Sequence, residues 1–209
     1  MEIDVYQDTI CPWCRIGKAH LQRALEEWQG EPVTVTYRTF FLNEDTPPEG
    51  YDFAPYMRAK GGGRIPLEQF FDAPRRAGAA VGLTFNFEKI ERAPNTLLSH
   101  RLVALAPEEK RQAVLDAVYE AYFEQGRDIG DLGVLLEVAA AQGMDAEAVG
   151  EQLRGDVARE EVLAEARMAH QLGITGVPFF VLNGRYGLSG AQPPAVLLQA
   201  MKTAAEGVA

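Results

Sequence analysis

Apolar residues alternate at the two ends of the chain and recur every three or four positions in between, a pattern that predicts strands flanking a long helical middle. Ile3, Val5 and the Tyr6-Gln7 pair form a short alternating run bounded by Asp8-Thr9, which reads as a strand. From Cys14 to about Trp28, Ile16, Leu21, Ala24, Leu25 and Trp28 keep helical spacing. Lys18, Gln22, Arg23, Glu26 and Glu27 fall mostly on the other face, and Gly30 is the predicted stop. Val33, Val35, Tyr37, Thr39 and Phe41 then alternate as a second strand.

Asn43 to Gly50 is a turn-rich linker, after which the pattern is helical nearly to Gly173. Helices are predicted over about 52–60, 66–82 with a break at Pro74, 94–105, 107–125, 131–142, 145–154 and 157–172. Gly61-Gly62-Gly63 reads as a flexible tip and Thr84-Phe85-Asn86-Phe87 as a short extended piece. Asp131 and Asp145 are placed as N-caps, Gly143 and Gly173 as C-terminal stops. Phe70, Phe71, Phe85, Phe87, Tyr119, Tyr122 and Phe123 are expected mostly in the core of this block, with a few available to line a groove.

The end of the chain reverts to the opening style. Val177 to Leu182 is a continuous apolar run, Asn183-Gly184 supplies a two-residue hairpin turn, and Arg185 to Leu188 returns. Pro193-Pro194 then opens a final amphipathic helix carrying Val196, Leu197, Ala200 and Met201. The order predicts an α/β chain: a thioredoxin-like domain from residues 1–42 and 173–209, split by a large all-helical insertion over 51–172. Pro178 lacks an N–H for the ladder and fits only at the start of its strand, where a cis Val177-Pro178 bond is expected.

Composition narrows the function. The 209 residues are 47% apolar and 24% charged, ordinary for a globular protein. The formal charge of −10 would repel phosphate backbones, so nucleic acid is not an expected partner. The start, Met1-Glu2-Ile3-Asp4, lacks the basic and apolar regions of a secretory signal, and no apolar run reaches the roughly 18 residues of a membrane span. A cytosolic protein without membrane partners is expected.

Both cysteines lie in Cys11-Pro12-Trp13-Cys14, between the first strand and the first helix. A CxxC at that place puts the first sulfur at the opening turn of the helix, where free N–H groups and the dipole favour a thiolate, and the second one turn on. Pro12 fits such a turn because it has no N–H to leave unpaired. In a chain without a signal the pair reads as catalytic or metal-binding before structural. A structural zinc site wants four ligands, and His20, His100 and His170 show no ligand spacing with the single pair, so no metal is expected. The plain alternative is a pair of inert buried thiols.

CPWC after a first strand, the helical insertion, Gly176-Val177-Pro178-Phe179-Phe180-Val181 and Ser189-Gly190-Ala191-Gln192-Pro193 together resemble the DsbA-like thioredoxin-fold superfamily, in particular its FrnE-type branch, over essentially the whole chain. The resemblance implies a dithiol oxidoreductase with no cofactor, exchanging disulfides with proteins or small thiols, glutathione among them. It would make Cys11 the nucleophile, Cys14 the resolving thiol, Pro12 and Trp13 the dipeptide that tunes them, and Val177-Pro178 the loop facing the sulfurs. The kappa-class glutathione transferases and hydroxychromene carboxylate isomerases are related in architecture. They typically have a serine where Cys11 stands and a Ser-Asp pair where this chain has Ala191-Gln192, two departures that count against a glutathione-dependent transferase or isomerase. A third reading keeps the fold as a chaperone-like module that holds chains through its insertion.

Several nearby residues carry two readings. Thioredoxin-like oxidoreductases often bury a carboxylate six residues before the first cysteine; here that place is Val5, while Asp8 is expected to be solvated in its turn, which leaves proton transfer at Cys14 to water. Trp13 is either a cover for the sulfurs or a substrate contact. Arg15 and Lys18 read as a solvated face, with His20 beside them able to aid a thiolate. Pro94-Asn95-Thr96 with His100 and Arg101 resembles a recurrent segment of this branch, but Asn95 or Thr96 as a helix cap and His100 as a partly exposed helix residue is the favoured reading. His170 is expected to complement a helix end.

Overall fold

The computed structural model describes residues 1–62 and 66–207. In chain order the elements are β1 (Glu2–Gln7), α1 (Pro12–Glu27), β2 (Thr34–Thr39), β3 (Tyr51–Asp52), α2 (Phe53–Lys60), α3 (Leu67–Ala79), a 3₁₀ turn at Phe87–Lys89, β4 (Arg92–Ala93), α4 (Leu97–Leu105), α5 (Glu108–Phe123), α6 (Leu132–Ala141), α7 (Ala146–Arg154), α8 (Arg159–Gln171), β5 (Phe179–Leu182), β6 (Tyr186–Ser189) and α9 (Pro194–Glu206). Two compact units divide the chain: Met1–Leu42 with Ala164–Ala209, and Asn43–Leu163. The second crossing falls inside α8.

The first unit is a four-stranded sheet in the order β2-β1-β5-β6, with β2 parallel to β1 and the other pairs antiparallel. The period of two explains its two cores. Ile3 and Val5 of β1 meet Phe180 and Leu182 of β5 on one face, packed with Leu21 and Ala24 of α1 and Leu197, Met201 and Ala204 of α9. Tyr6 points the other way and joins Phe40, Ala169 and Ile174, with Phe179 and Val181 of β5 alongside. β5 is therefore apolar on both faces, which is why it reads as a continuous run. The Asn183-Gly184 turn has positive φ at both residues, 50° and 63°, as a two-residue hairpin requires. Asn183 also exchanges bonds with Glu2, accepting from its N–H at 2.9 Å through Oδ1 and donating its own N–H to the Glu2 carbonyl at 2.8 Å.

β2 is an edge strand, and Glu165 of α8 holds it. Its carboxylate accepts from the Thr39 N–H at 3.0 Å and hydroxyl at 2.9 Å, and from Arg38 at 3.0 Å, while Arg38 also reaches Asp4 at 2.8 Å. Burial works against the Arg38 charge, but Glu165 and Asp4 outweigh it and leave the guanidinium pKa raised.

The second unit is built from α2 to α7, the start of α8 and the short β3-β4 ladder. Phe53, Phe71, Phe87 and Phe85 stack in sequence and Phe123 meets Phe85 edge to face, with ring centroids 4.1 to 5.6 Å apart. Phe70 alone of the predicted aromatic core is exposed. Asp131 and Asp145 cap α6 and α7, accepting from Val134 and from Glu147 and Ala148. Gly143 and Gly173 end α6 and α8 with φ of 67° and 74°, and the following residues Met144 and Ile174 bond back to Ala139 and Ala169.

Four expectations are corrected. Pro74 does not break its helix: α3 runs through it, and its buried ring, sharing a face with buried Phe71 and Gly78, offsets the missing hydrogen bond. Thr84 to Asn86 form no strand and Phe87 starts the 3₁₀ turn. Gly30 is not the cap of α1, which ends at Glu27 with Trp28 extended. The Trp28 ring lies where a Gly30 Cβ would be, within 2.1 Å, so glycine is needed for space. His100 is buried in α4. Of the predicted glycine tip, Gly63 lies outside the described residues.

Candidate functional site

β1 ends at Gln7, and the turn that follows is closed by the Cys11 N–H donating to the Asp8 carbonyl at 3.0 Å. This sets Cys11 as the N-cap of α1 in an extended conformation, with Pro12 opening the helix. The Cys11 carbonyl accepts the first helical bonds, from Cys14 at 3.1 Å and Arg15 at 3.3 Å. One helical turn then brings the side chains together: the cysteines are 3.3 Å apart, and both are free thiols.

The pair is asymmetric. Cys14 is 1% exposed, and burial pushes its pKa well above the ordinary 9.0; its own hydrogen bond to Cys11 and the Asp8 carboxylate add to the shift, while a bond from the Asp8 backbone opposes it. These effects together favour the protonated form of Cys14. Cys11 meets the other side of the site, its Sγ donating to the Val177 carbonyl at 3.7 Å.

The Val177-Pro178 peptide bond is cis. Two features brace that loop. The Pro178 carbonyl accepts from the Gly190 N–H at 2.8 Å, with Gly190 at φ 83°. Gly17 of α1 lies so close that a Cβ there would sit 2.8 Å from Pro178 Cγ. The Ser189-Gly190-Ala191-Gln192 segment folds on itself, Gln192 Nε2 donating to the Ser189 carbonyl at 2.8 Å, and His20 Nδ1 donates to the Gln192 carbonyl at 2.9 Å. His20 therefore ties α1 to the segment entering α9.

All the predicted site residues of this unit, Cys11, Pro12, Trp13, Cys14, Val177 and Pro178, lie in the β1–α1 turn, the start of α1 and the loop before β5. Trp13 is 38% exposed beside them. Arg15 and Lys18 are buried rather than solvated, Lys18 resting its ammonium 5.6 Å from the centre of the Tyr37 ring. Asp8, expected in solvent, is 1% exposed, its Oδ2 accepting the Leu42 N–H at 2.8 Å. Asn95 acts as a turn residue, accepting from Leu97 and donating to Thr46. No group of three or more His, Cys, Asp or Glu among the described residues could hold a metal ion.

The sequence profile of the DsbA-like thioredoxin domain matches residues 2–202. The chain belongs to the DsbA-like thioredoxin family. Its fold superposes on the crystal structure of a probable DsbA oxidoreductase from Streptomyces coelicolor with a TM-score of 0.91 and 36% identity, covering 99% of this chain and 90% of that one. The uncharacterized protein YwbO of Bacillus subtilis is 25% identical over 88% of this chain and 87% of its own length. The DsbA-like fold is shared, at 20% identity and a TM-score of 0.70, with the cytosolic disulfide reductase DsbM of Pseudomonas aeruginosa, solved with GSH; the match covers 99% of this chain and 100% of DsbM.

Two residues of this DsbA-like site, Asp8 and Gly17, take on a role only in the folded chain. Asp8 looks like turn punctuation until Leu42, far along the chain, closes over it. Gly17 had a signal, an isolated glycine within a helical pattern, which usually marks close packing.

Proposed function

We propose that the protein is a thiol-disulfide oxidoreductase whose Cys11 and Cys14 cycle between dithiol and disulfide. The observation that carries the reading is two buried thiols 3.3 Å apart at the N-terminus of α1, one of them bonded to the Val177 carbonyl. Cys11, as thiolate, attacks a partner disulfide; one partner sulfur leaves with the electron pair of the broken S–S bond and takes up a proton, and Cys11 is joined to the other in a mixed disulfide. Cys14 then loses its proton and attacks the Cys11 sulfur, closing the Cys11–Cys14 disulfide and releasing the second partner thiol. Two electrons pass from the protein to the partner, and the reverse sequence oxidises a dithiol. Pro12 and Trp13 shape the exposed side of the pair, and the backbone at Val177-Pro178 holds an extended segment of the partner. Partners are disulfides or thiols of proteins or small molecules, glutathione among them. Insulin reduction by dithiothreitol is expected to accelerate with the protein and to lose that acceleration in Cys11→Ser; equal rates for the two would remove the reading.

A further inference from the structure

We propose that the helical unit carries a binding site of its own, a small cavity that takes an arylalkyl ammonium: one aromatic ring joined by a short arm to a cationic amine. The site uses neither cysteine, so it goes beyond the dithiol reading and stands or falls apart from it.

The cavity has a volume of about 180 Å³, and all the residues that line it lie within the helical unit, on α2, α3 and the 3₁₀ turn and just after that turn. Its wall is apolar: Phe53, Phe71, Phe87 and Ile90, each 5 to 7% exposed. Phe53, Phe71 and Phe87 stack with interplanar angles of 14° and 13°, and Phe70 meets Phe71 edge-on at 5.1 Å, so the rings are held by one another. Size then limits the occupant. An apolar cavity of about 150 Å³ takes up benzene, whereas drug-sized ligands need about 300 Å³ or more. A single ring fits the wall of this cavity.

The rim has the opposite character. Glu68 and Arg75 stand on α3 and Glu88 on the 3₁₀ turn. Arg75 lies over the Phe87 ring, its guanidinium carbon 5.7 Å from the ring centre, and pairs with Glu88 at 3.2 Å. Glu88 thus balances the Arg75 charge, and Glu68 leaves the rim negative. A carboxylate on the ligand would have to take Arg75 away from Glu88 and then face both acids. An ammonium meets two carboxylates while its ring stays inside. The wider field has the same sign, with 22 acidic against 13 basic side chains in residues 43–163.

The test titrates the full chain, labelled at its isoleucine methyls, with 2-phenylethylammonium and with its anionic counterpart 3-phenylpropionate at pH 7, where the amine is protonated. The Ile90 methyl on the cavity wall is identified by its disappearance in Ile90→Val. The expected result is a saturable shift of that resonance with a Kd of ~1 mM, the strength a fragment of this size can reach. 3-Phenylpropionate should bind about tenfold more weakly, and the margin should shrink as salt is added. Ala54→Leu, which enlarges a residue lining the cavity, should abolish the shift, and Glu68→Gln at the exposed rim should weaken the ammonium about threefold. Cys11→Ser should bind as the wild type does, whatever becomes of its redox activity. An Ile90 methyl that does not respond up to about 10 mM ammonium overturns the proposal, as does 3-phenylpropionate binding equally well. Both are read on the wild type and hold even if Ala54→Leu does not fold. A folded Ala54→Leu that binds unchanged, or a Cys11→Ser that loses binding, overturns it as well.

Discussion

At the scale of single residues, the site works by placing groups where water cannot reach them. Cys14 is the clearest case, because a thiol whose folded pKa is raised binds its proton more tightly than the unfolded chain does. Its contribution to stability is complete below the ordinary value of 9.0 and is lost as pH rises through the folded value. Denaturation of the reduced protein followed from pH 7 upward should therefore show an alkaline loss that is smaller in Cys14→Ala. Arg101 is a second buried group, with a structural task. Its guanidinium donates to four carbonyls around the end of α7, those of Gln152, Leu153, Gly155 and Val157, at 2.6 to 3.0 Å. Burial lowers its pKa, but these carbonyls, in and just past the last turn of α7, accept four of its five N–H groups. Just beyond, Ala158 sits at φ 60°, a left-handed conformation that must be held in place. Arg101→Ala should cost about 3 kcal/mol or more, by leaving these carbonyls unpaired, and should lower the melting temperature by ~10 °C without removing the thiol chemistry. Neither burial could be seen in the sequence: Arg101 stands in a helix pattern that gives no sign of what its side chain reaches, and Asp8 looks like any turn aspartate.

At the scale of elements, period and punctuation carried most of the information. Strands β1, β2 and β5 and helices α1 and α4 to α9 fall where alternation, 3.6-residue spacing and capping residues place them, because each buries one stripe or one face. β3 and β4 are two residues each, too short to show any period, and emerge only from their pairing. Pro74 misleads because burial of its ring is a tertiary gain invisible to a local rule. The approach of α1 to the Pro178 loop is likewise tertiary, and it rests on Gly17. Gly17→Ala should push a methyl into Pro178 and cost about 1–3 kcal/mol. Thermal denaturation reads the stability, and insulin reduction reads the site, where the shifted loop should lower activity more than an alanine at exposed Arg23 of the same helix does. Loss of stability with no greater loss of activity would show that Gly17 serves packing alone.

At the scale of the whole molecule, charge is unevenly shared. Residues 43–163 hold 22 acidic side chains against 13 basic ones, so nearly all of the net −10 lies in the helical unit while the unit bearing the cysteines is almost neutral. The field of the chain should favour cationic over anionic partners at low salt, where the Debye length reaches about 30 Å. Oxidation of the dithiol by cystamine should outpace oxidation by glutathione disulfide by more than their intrinsic reactivities explain, with a margin of ~tenfold at low ionic strength that shrinks as salt is added. A margin indifferent to salt would assign the preference to local contacts. The family and the α/β plan of a sheet interrupted by helices were legible because both ends of the chain carry the signal; the raised pKa of Cys14 was not, because it comes from burial in the folded chain. The claim that most needs testing is that these two thiols act as one redox pair. Equilibrating the protein in glutathione buffers of graded potential, then counting thiols and weighing the product, tests it directly. Cys11 and Cys14 should disappear together in one two-electron transition to an intramolecular disulfide, and Cys14→Ser should stop at a Cys11–glutathione adduct. Two thiols that persist in the most oxidising buffer, or that are lost independently as separate adducts, would contradict it.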